Sequence, residues 1–219
     1  MKRRLMYLLL ALVVALVAVE GSVWANVQER ILYISPGSTL IAYGGDKVNP
    51  TLLPMKSFPK APKALMMKPL AQTTRTLSDN NSQAYGDGYV DTYFNSTVYE
   101  GAGWKVWAEV EGNAVTSWSG TQPQYYSSKI KLDESWTFNG ISVSVSSGGG
   151  IGFSTSGNTV CWSGEDDSGT SWSLNNSYSG IYGESWVALT SVRQSVMGTH
   201  YFESTHHYVS TMATDGCPG

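Results

Sequence analysis

Strict alternation of apolar and small polar residues is the clearest pattern in this chain, and it is concentrated in residues 135–164, which carry no charge. Ile141, Val143 and Val145 alternate with serines before a run of three glycines interrupts the pattern. Successive side chains of a strand point to opposite faces of a sheet, so alternation with period two indicates β-strands. The stretch therefore predicts paired strands joined across a glycine-rich turn.

The alternation changes phase inside this stretch. Trp136 and Phe138 fall on the opposite parity from Ile141, and Asn139-Gly140 lies between the two sets. A change of phase at an Asn-Gly pair predicts a β-bulge or a turn there. We expect the apolar residues after the break to lie in a protein core, namely Ile141, Val143, Val145 and Phe153.

The same period recurs through most of the remaining sequence. In residues 89–99 the apolar set that includes Val90 and Phe94 alternates with tyrosines, and in residues 104–110 Trp104 and Val106 share one face. We assign Trp186 to the core as well. About ten such segments with Gly, Asn and Ser between them predict an all-β domain over residues 83–219, built as an antiparallel two-sheet β-sandwich or jelly roll.

The first 25 residues have the pattern of a secretory signal peptide. Lys2-Arg3-Arg4 precedes an apolar run from Leu5 to Val19, and Val23-Trp24-Ala25 fits a small-x-small cleavage site. We therefore predict a secreted, extracellular protein that is cleaved after Ala25.

Residues 26–82 differ in composition from the rest of the chain. They hold six of the eight prolines and are rich in lysine, and two apolar runs flank Pro36-Gly37. The pattern predicts a short hairpin over residues 31–43, followed by extended chain and a polar linker over residues 73–82. A basic pro-segment and a plain spacer are both consistent with this composition.

Charge is distributed unevenly around a net value of −3. Residues 1–72 contain nine basic and three acidic residues, whereas residues 73–219 contain five and fourteen. Nucleic-acid binding requires clustered Lys and Arg, so the acidic part argues against a nucleic-acid partner.

Cys161 and Cys217 are the only cysteines. Two cysteines in an exported chain favour a disulfide, because the compartment is oxidising. Such a bridge would stabilise the domain by about 4 kcal/mol.

Tyrosine and tryptophan provide the strongest functional signal. Strand parity places Tyr89, Tyr93 and Trp107 opposite the core-like faces, together with Asp91 and Glu109. Exposed rings beside carboxylates suit stacking against sugars, with hydrogen bonds to their hydroxyls. We therefore expect a non-enzymatic module that binds an extracellular glycan or a cell surface through these five residues.

Two other classes of function remain open. The uncharged stretch 135–164 has the composition of a membrane-active toxin or bacteriocin-like protein, but its change of phase would turn serines toward lipid and argues against membrane insertion. A glycoside hydrolase is the third possibility, because Glu109 and Glu111 share a strand face at about 6.7 Å.

No cofactor is expected, with one candidate exception. The acidic run Glu165-Asp166-Asp167 precedes Ser168-Gly169. Clustered carboxylates in a glycine-containing loop are the ligands that Ca²⁺ prefers, although the run lacks the spacing of an EF-hand loop.

Overall fold

The computed structural model describes residues 27–45, 73–120, 127–169, 171–202 and 207–218. The predicted signal peptide and the Pro/Lys-rich stretch after residue 45 lie outside these ranges. The described residues form ten strands and no helix, which confirms the all-β class. The strands are β1 (Val27–Ser35), β2 (Ser38–Gly45), β3 (Thr73–Tyr85), β4 (Gly88–Ala102), β5 (Val106–Trp118), β6 (Lys129–Ser146), β7 (Phe153–Ser156), β8 (Thr159–Asp166), β9 (Ser171–Phe202) and β10 (His207–Pro218).

The strands form one large antiparallel sheet in the order β3-β4-β5-β9-β6-β8-β7. The β1–β2 hairpin turns at Pro36-Gly37 and joins this sheet through pairing of β2 with β9, and β10 also pairs with β9. No helix in the described part of the chain is long and apolar enough to cross a membrane.

Strand β9 organises the sheet because it is 32 residues long and changes partners along its length. Residues 171–178 lie between β2 and β5, whereas residues 191–201 lie between β10 and β6. Register shifts leave extra β9 residues opposite β5 and opposite β6. Gly180 lies at the shift against β5 and has a φ of +70°. The left-handed region favours glycine, so this residue permits the bulge.

The main hydrophobic core draws on both parts of β9. Leu174 and Tyr178 precede the first bulge, and Ile181 and Leu189 after it are buried with the opposite parity. Beyond the register shifts against β6, Val196 is buried with the original parity again. Other fully buried large side chains in the same cluster are Leu40, Leu132, Trp136, Phe138 and Trp162. A smaller cluster contains Val90, Trp118 and Phe202.

The predicted break at Asn139-Gly140 is confirmed as a register shift between β6 and β9. A Cβ on Gly140 would lie 2.2 Å from the Ala188 carbonyl oxygen, so only glycine allows this close approach. Val143 and Val145, like Phe153, are partly buried against the core.

The prediction for Ile141 is wrong, because its side chain is exposed. A second register shift separates Ile141 from Val143, and Ser142 between them has a positive φ of 54°. This local reversal breaks the alternation one residue after the sequence pattern resumes.

Two tryptophans assigned to the core are exposed instead. Trp104 is 94% exposed in the bend between β4 and β5, where strand parity does not apply. Trp186 is 67% exposed and lies where β9 shifts register against β6. Residues 73–82, predicted as a linker, belong to β3, where Arg75 forms an ion pair with Glu100 at 3.1 Å.

The backbone register opposes the predicted disulfide. Cys161 has a free thiol. The row of paired residues that crosses the sheet from Cys161 on β8 passes through Ser135 on β6 and Ser195 on β9 and reaches Thr214 on β10. Three strand spacings amount to about 14 Å, and Cys217 is three residues farther along β10. Cα atoms joined by a disulfide lie within about 7 Å of each other, so the two backbone positions are too far apart.

Candidate ligand-binding face

The five residues predicted to bind a ligand separate into two groups. β4 and β5 are antiparallel, so Tyr93 pairs with Val115 whereas Glu109 pairs with Tyr99. Six residues of strand separate these two rows, or about 20 Å. Trp107 therefore lies with Glu109 near one end of the sheet, while Tyr89, Asp91 and Tyr93 lie toward the other end.

The group formed by Tyr89, Asp91 and Tyr93 has one exposed aromatic ring. Tyr89 is exposed, but Tyr93 is half-buried and burial raises its pKa. The Asp91 carboxylate accepts a hydrogen bond from the Ser82 hydroxyl on β3. These residues form a strand surface with a single exposed aromatic side chain.

The Trp107–Glu109 end joins three strands into a denser arrangement. One row across the sheet contains Tyr99, Glu109 and Tyr182, and the next contains Gly101, Trp107 and Glu184. The neighbouring residues of β5, Ala108 and Val110, point into the core, so these side chains lie on the opposite face. We call this surface the aromatic–acid face; it consists of Tyr99, Trp107, Glu109, Glu111, Tyr182 and Glu184.

The indole ring of Trp107 forms the floor of the aromatic–acid face. The expectation of an exposed ring is wrong for this residue, because it is 3% exposed and is stacked with the Tyr182 ring, at 6.2 Å between centroids and 18° between planes. A Cβ on Gly101 would lie 2.6 Å from the indole, so the absence of a side chain there makes room for the ring. The indole Nε1 has no hydrogen-bond partner among the described residues. The buried floor of the face thus contains a hydrogen-bond donor.

Carboxylates surround this floor, and two of them accept hydrogen bonds from tyrosines. The Tyr99 hydroxyl donates to Glu111 Oε1 at 2.6 Å, and the Tyr182 hydroxyl donates to Glu184 Oε2 at 3.4 Å. The hydrogen bond to Glu111, burial and the charges of Glu111 and Glu109 raise the pKa of Tyr99 to about 12. Burial and the charges of Glu184 and Glu109 raise the pKa of Tyr182 to about 12 as well. Both phenols stay neutral donors at physiological pH.

Two exposed indoles border the face, and we call Trp104 and Trp186 the tryptophan rim. Lys105 connects the rim to the face, because its ammonium forms an ion pair with Glu184 and lies 4.6 Å from the centroid of the Trp186 ring. Large exposed aromatic side chains are costly to leave in water and commonly mark binding surfaces. The sequence assigned both indoles to the core and so missed this part of the site.

Two of the three acidic residues proposed to bind Ca²⁺ form ion pairs with basic side chains. Asp166 forms an ion pair with Arg30 and accepts a hydrogen bond from the Ser168 backbone N–H, whereas Glu165 pairs with Lys129 at 2.7 Å. Among the described residues, no group of three or more His, Cys, Asp or Glu is arranged to hold a metal ion.

A second feature that sequence reasoning missed is a carboxyl group in the core. Glu134 is fully buried and accepts a hydrogen bond from Asn176 Nδ2 at 2.7 Å, while its Oε2 has no partner within the described ranges. Burial raises its pKa to about 8, although the Asn176 bond acts in the opposite direction. Its position could have been read from parity, because it has the same parity as Leu132 and Trp136, which also point inward.

Comparison of the chain with protein-family models, curated proteins and solved structures found no match. Function is therefore inferred from the geometry of the aromatic–acid face.

Proposed function

We propose that this protein is a secreted, non-enzymatic module that binds an extracellular glycan through the aromatic–acid face and the tryptophan rim. The observation that carries the proposal is the pair of exposed indoles, Trp104 and Trp186, beside a surface of tyrosines and carboxylates that the buried Trp107 supports. A pyranose ring has an apolar face that stacks on aromatic rings and hydroxyls that carboxylates bind. The signal-peptide pattern of the N-terminal sequence supports export.

We further infer that the sheet folds over β9 into the two layers of a sandwich or jelly roll. Side-chain contacts between residues that are not neighbours in the strand register support this arrangement. Asn176 in the first half of β9 donates to Glu134 on β6, and Ser96 on β4 donates to Gln194 in the second half of β9. A doubly layered scaffold would hold the face in one geometry and reduce the entropy lost on binding.

The test is affinity electrophoresis and calorimetry against a panel of soluble polysaccharides. For a glycan that the wild type binds, Trp104→Ala and Trp186→Ala should each weaken affinity about tenfold, or ~1.4 kcal/mol, because each removes a stacking surface. Both side chains are exposed, so circular dichroism should show an unchanged fold.

Tyr89→Ala is the matched comparison, since it removes an exposed ring that lies ten strand residues from Tyr99, or about 33 Å, on the same face of β4. We expect its affinity to equal that of the wild type. Loss of binding in Tyr89→Ala with full binding in both tryptophan variants would move the site to the other end of the sheet. Absence of binding to every glycan tested would contradict the proposal.

A glycoside hydrolase is a second candidate, favoured by one specific observation. Glu109 and Glu184 are diagonal neighbours on adjacent strands, at about 7 Å between Cβ atoms. Inverting glycosidases place their two carboxyl groups at about this separation. Release of reducing ends from a bound glycan, lost in Glu184→Gln, would establish hydrolysis and replace the binding-only proposal.

A further inference from the structure

We infer that a groove across the second half of β9 is a binding site for a ligand that carries a carboxylate. The groove has a volume of about 460 Å³, and its lining includes Asn139 on β6, Ser191 and Arg193 on β9, and Thr214, Asp215 and Gly216 on β10. Small-molecule sites commonly have volumes of about 300–1,000 Å³. Arg193 lies seven residues after Trp186 on β9, or about 23 Å of strand, so this site is separate from the aromatic–acid face and its proposed function.

The positive charge of the groove belongs to Arg193. Its side chain is exposed, and it forms no ion pair with any residue in the described ranges. Arg30 and Arg75, by contrast, are each paired with a carboxylate. A guanidinium group stays charged at every physiological pH. The Arg193 side chain is therefore available to an anion from outside the protein.

The carboxylate in the lining, Asp215, has other partners on both of its oxygens. Its Oδ2 accepts a hydrogen bond from the Ser78 backbone N–H at 3.0 Å, and its Oδ1 accepts one from the Gly216 backbone N–H at 2.7 Å. Backbone donors thus satisfy this carboxylate in place of the guanidinium. The groove supplies Arg193 with no counter-charge of its own.

Further donors line the groove beside the guanidinium. Asn139 Nδ2 donates to Ser191 Oγ at 2.9 Å, which leaves the second N–H of the amide and the O–H of the serine for a ligand. Gly216 pairs with Arg193 across the strands, and a Cβ on it would lie 3.7 Å from Arg193 Cβ and Cγ. Any side chain at this position would therefore stand against the arginine and fill part of the groove.

These features favour a carboxylate over other anions. The guanidinium presents two parallel N–H groups that match the two oxygens of a carboxylate. One positive charge balances one negative charge, and Asp215 in the same lining opposes the second charge of a phosphate monoester. The donors of Ser191 and Asn139 suit hydroxyls next to the carboxylate. A free organic acid and a uronic acid residue of a glycan both have this chemistry.

The experiment follows the arginine Nε–H signals of the ¹⁵N-labelled protein by two-dimensional NMR while sodium glucuronate is added. Glucose is the neutral comparison, and acetate is the carboxylate without a ring. Salt at about 0.15 M screens charges beyond about 8 Å, so the distant acidic residues contribute little. Glucuronate should shift the Arg193 signal to saturation and bind at least about tenfold more tightly than glucose. Tighter binding of glucuronate than of acetate would assign an acidic sugar, and equal affinity would assign a simple organic acid.

Substitutions test whether Arg193 carries the recognition. Arg193→Gln removes the charge from an exposed side chain and should lower glucuronate affinity about tenfold, with an unchanged circular dichroism spectrum. Arg193→Lys keeps the charge without the planar fork and should fall between this variant and the wild type. Arg75→Gln is the matched control, because it removes an equal charge from β3 and should bind as the wild type does. Trp104→Ala should also leave glucuronate binding unchanged.

Four outcomes would overturn the inference. They are the absence of a saturable shift with glucuronate and acetate, equal affinity for glucuronate and glucose, full affinity in folded Arg193→Gln, and tighter binding of glucose 6-sulfate than of glucuronate. Failure of every polysaccharide in the panel to bind would remove the proposed function of the aromatic–acid face and leave this site intact.

Discussion

Ionisation of Glu134 should make the stability of this protein fall as pH rises from mildly acidic to mildly basic. Burial raises the pKa of this carboxyl group from 4.5 to about 8 in the folded chain, and unfolding exposes the group to water. Between these two values the folded protein retains a proton that the unfolded chain releases. The folded state then binds more protons than the unfolded state, so the free energy of unfolding decreases with pH.

The size of the effect follows from the width of this window. Each pH unit within it costs about 1.4 kcal/mol of stability. From pH 4.5 to about 8 the loss approaches ~5 kcal/mol, and at higher pH no further loss arises from this group. Small domains are stable by about 5–15 kcal/mol in total, so the effect is large enough to measure directly.

Neighbouring groups do not produce the same dependence. Burial raises the pKa of Tyr33 to about 12 and also raises that of Tyr178, which leaves both phenols protonated throughout the window. The pKa of Asp166 is lowered from 3.8, so its contribution is present above that value and is lost only in stronger acid. Its sign is therefore opposite to that of Glu134.

Glu134→Gln is the decisive variant because glutamine is neutral at every pH and its carbonyl oxygen can still accept from Asn176. Urea unfolding followed by tryptophan fluorescence, repeated across the window, should show a flat profile for the variant. Above pH 8 the variant should be more stable than the wild type by a few kcal/mol. In acid its free energy of unfolding should equal that of the wild type or be lower by about 1–3 kcal/mol, because the new amide N–H takes the place of the unpartnered Oε2.

Glu165→Gln provides the control, because it neutralises an exposed carboxylate on the adjacent strand and should leave the slope unchanged. A wild-type profile that is flat or rises across the window would refute the reasoning. The same holds for a Glu134→Gln variant that keeps the wild-type slope.

Three further predictions concern the core, the thiols and the floor of the aromatic–acid face. Val143→Asp should lower the free energy of unfolding by a few kcal/mol, because it places a charge against the core. Wild-type protein should release no dye from liposomes, and release at low concentration would favour the membrane-active alternative. Intact-mass analysis should find both cysteines reduced, and a reductant should not change Tm; a mass lower by two hydrogens would restore the disulfide. Gly101→Ala should reduce both thermal stability and glycan affinity, because its Cβ would lie 2.6 Å from the buried indole, while Gly103→Ala has no atom within 4 Å and should match the wild type.

The alternation along each strand was determined by the sequence alone. On β4, Val90, Phe94 and Val98 are buried and Tyr89 is exposed, as period-two parity predicts. The break at Asn139-Gly140 was also readable, since a change of phase is visible without any partner strand. These features are local, because the direction of a side chain depends on the backbone of its own strand.

Parity along β9 was not readable in this way. Bulges against β5 and β6 change which residues face the core, and each depends on a strand distant in sequence. A shift of one residue turns every following side chain to the other face. The exposed Trp186 and Ile141, both expected in the core, lie at such shifts.

The membership of the candidate site was decided by tertiary structure alone. Parity shows which face a residue occupies but not which residue of another strand lies beside it. Antiparallel register separates Tyr93 from Glu109 and places Glu109 between Tyr99 and Tyr182. Tyr182 lies more than seventy positions after Glu109 in the chain. Register is set by hydrogen bonds between strands and by the fit of the core, so the aromatic–acid face exists only once β4, β5 and β9 are paired.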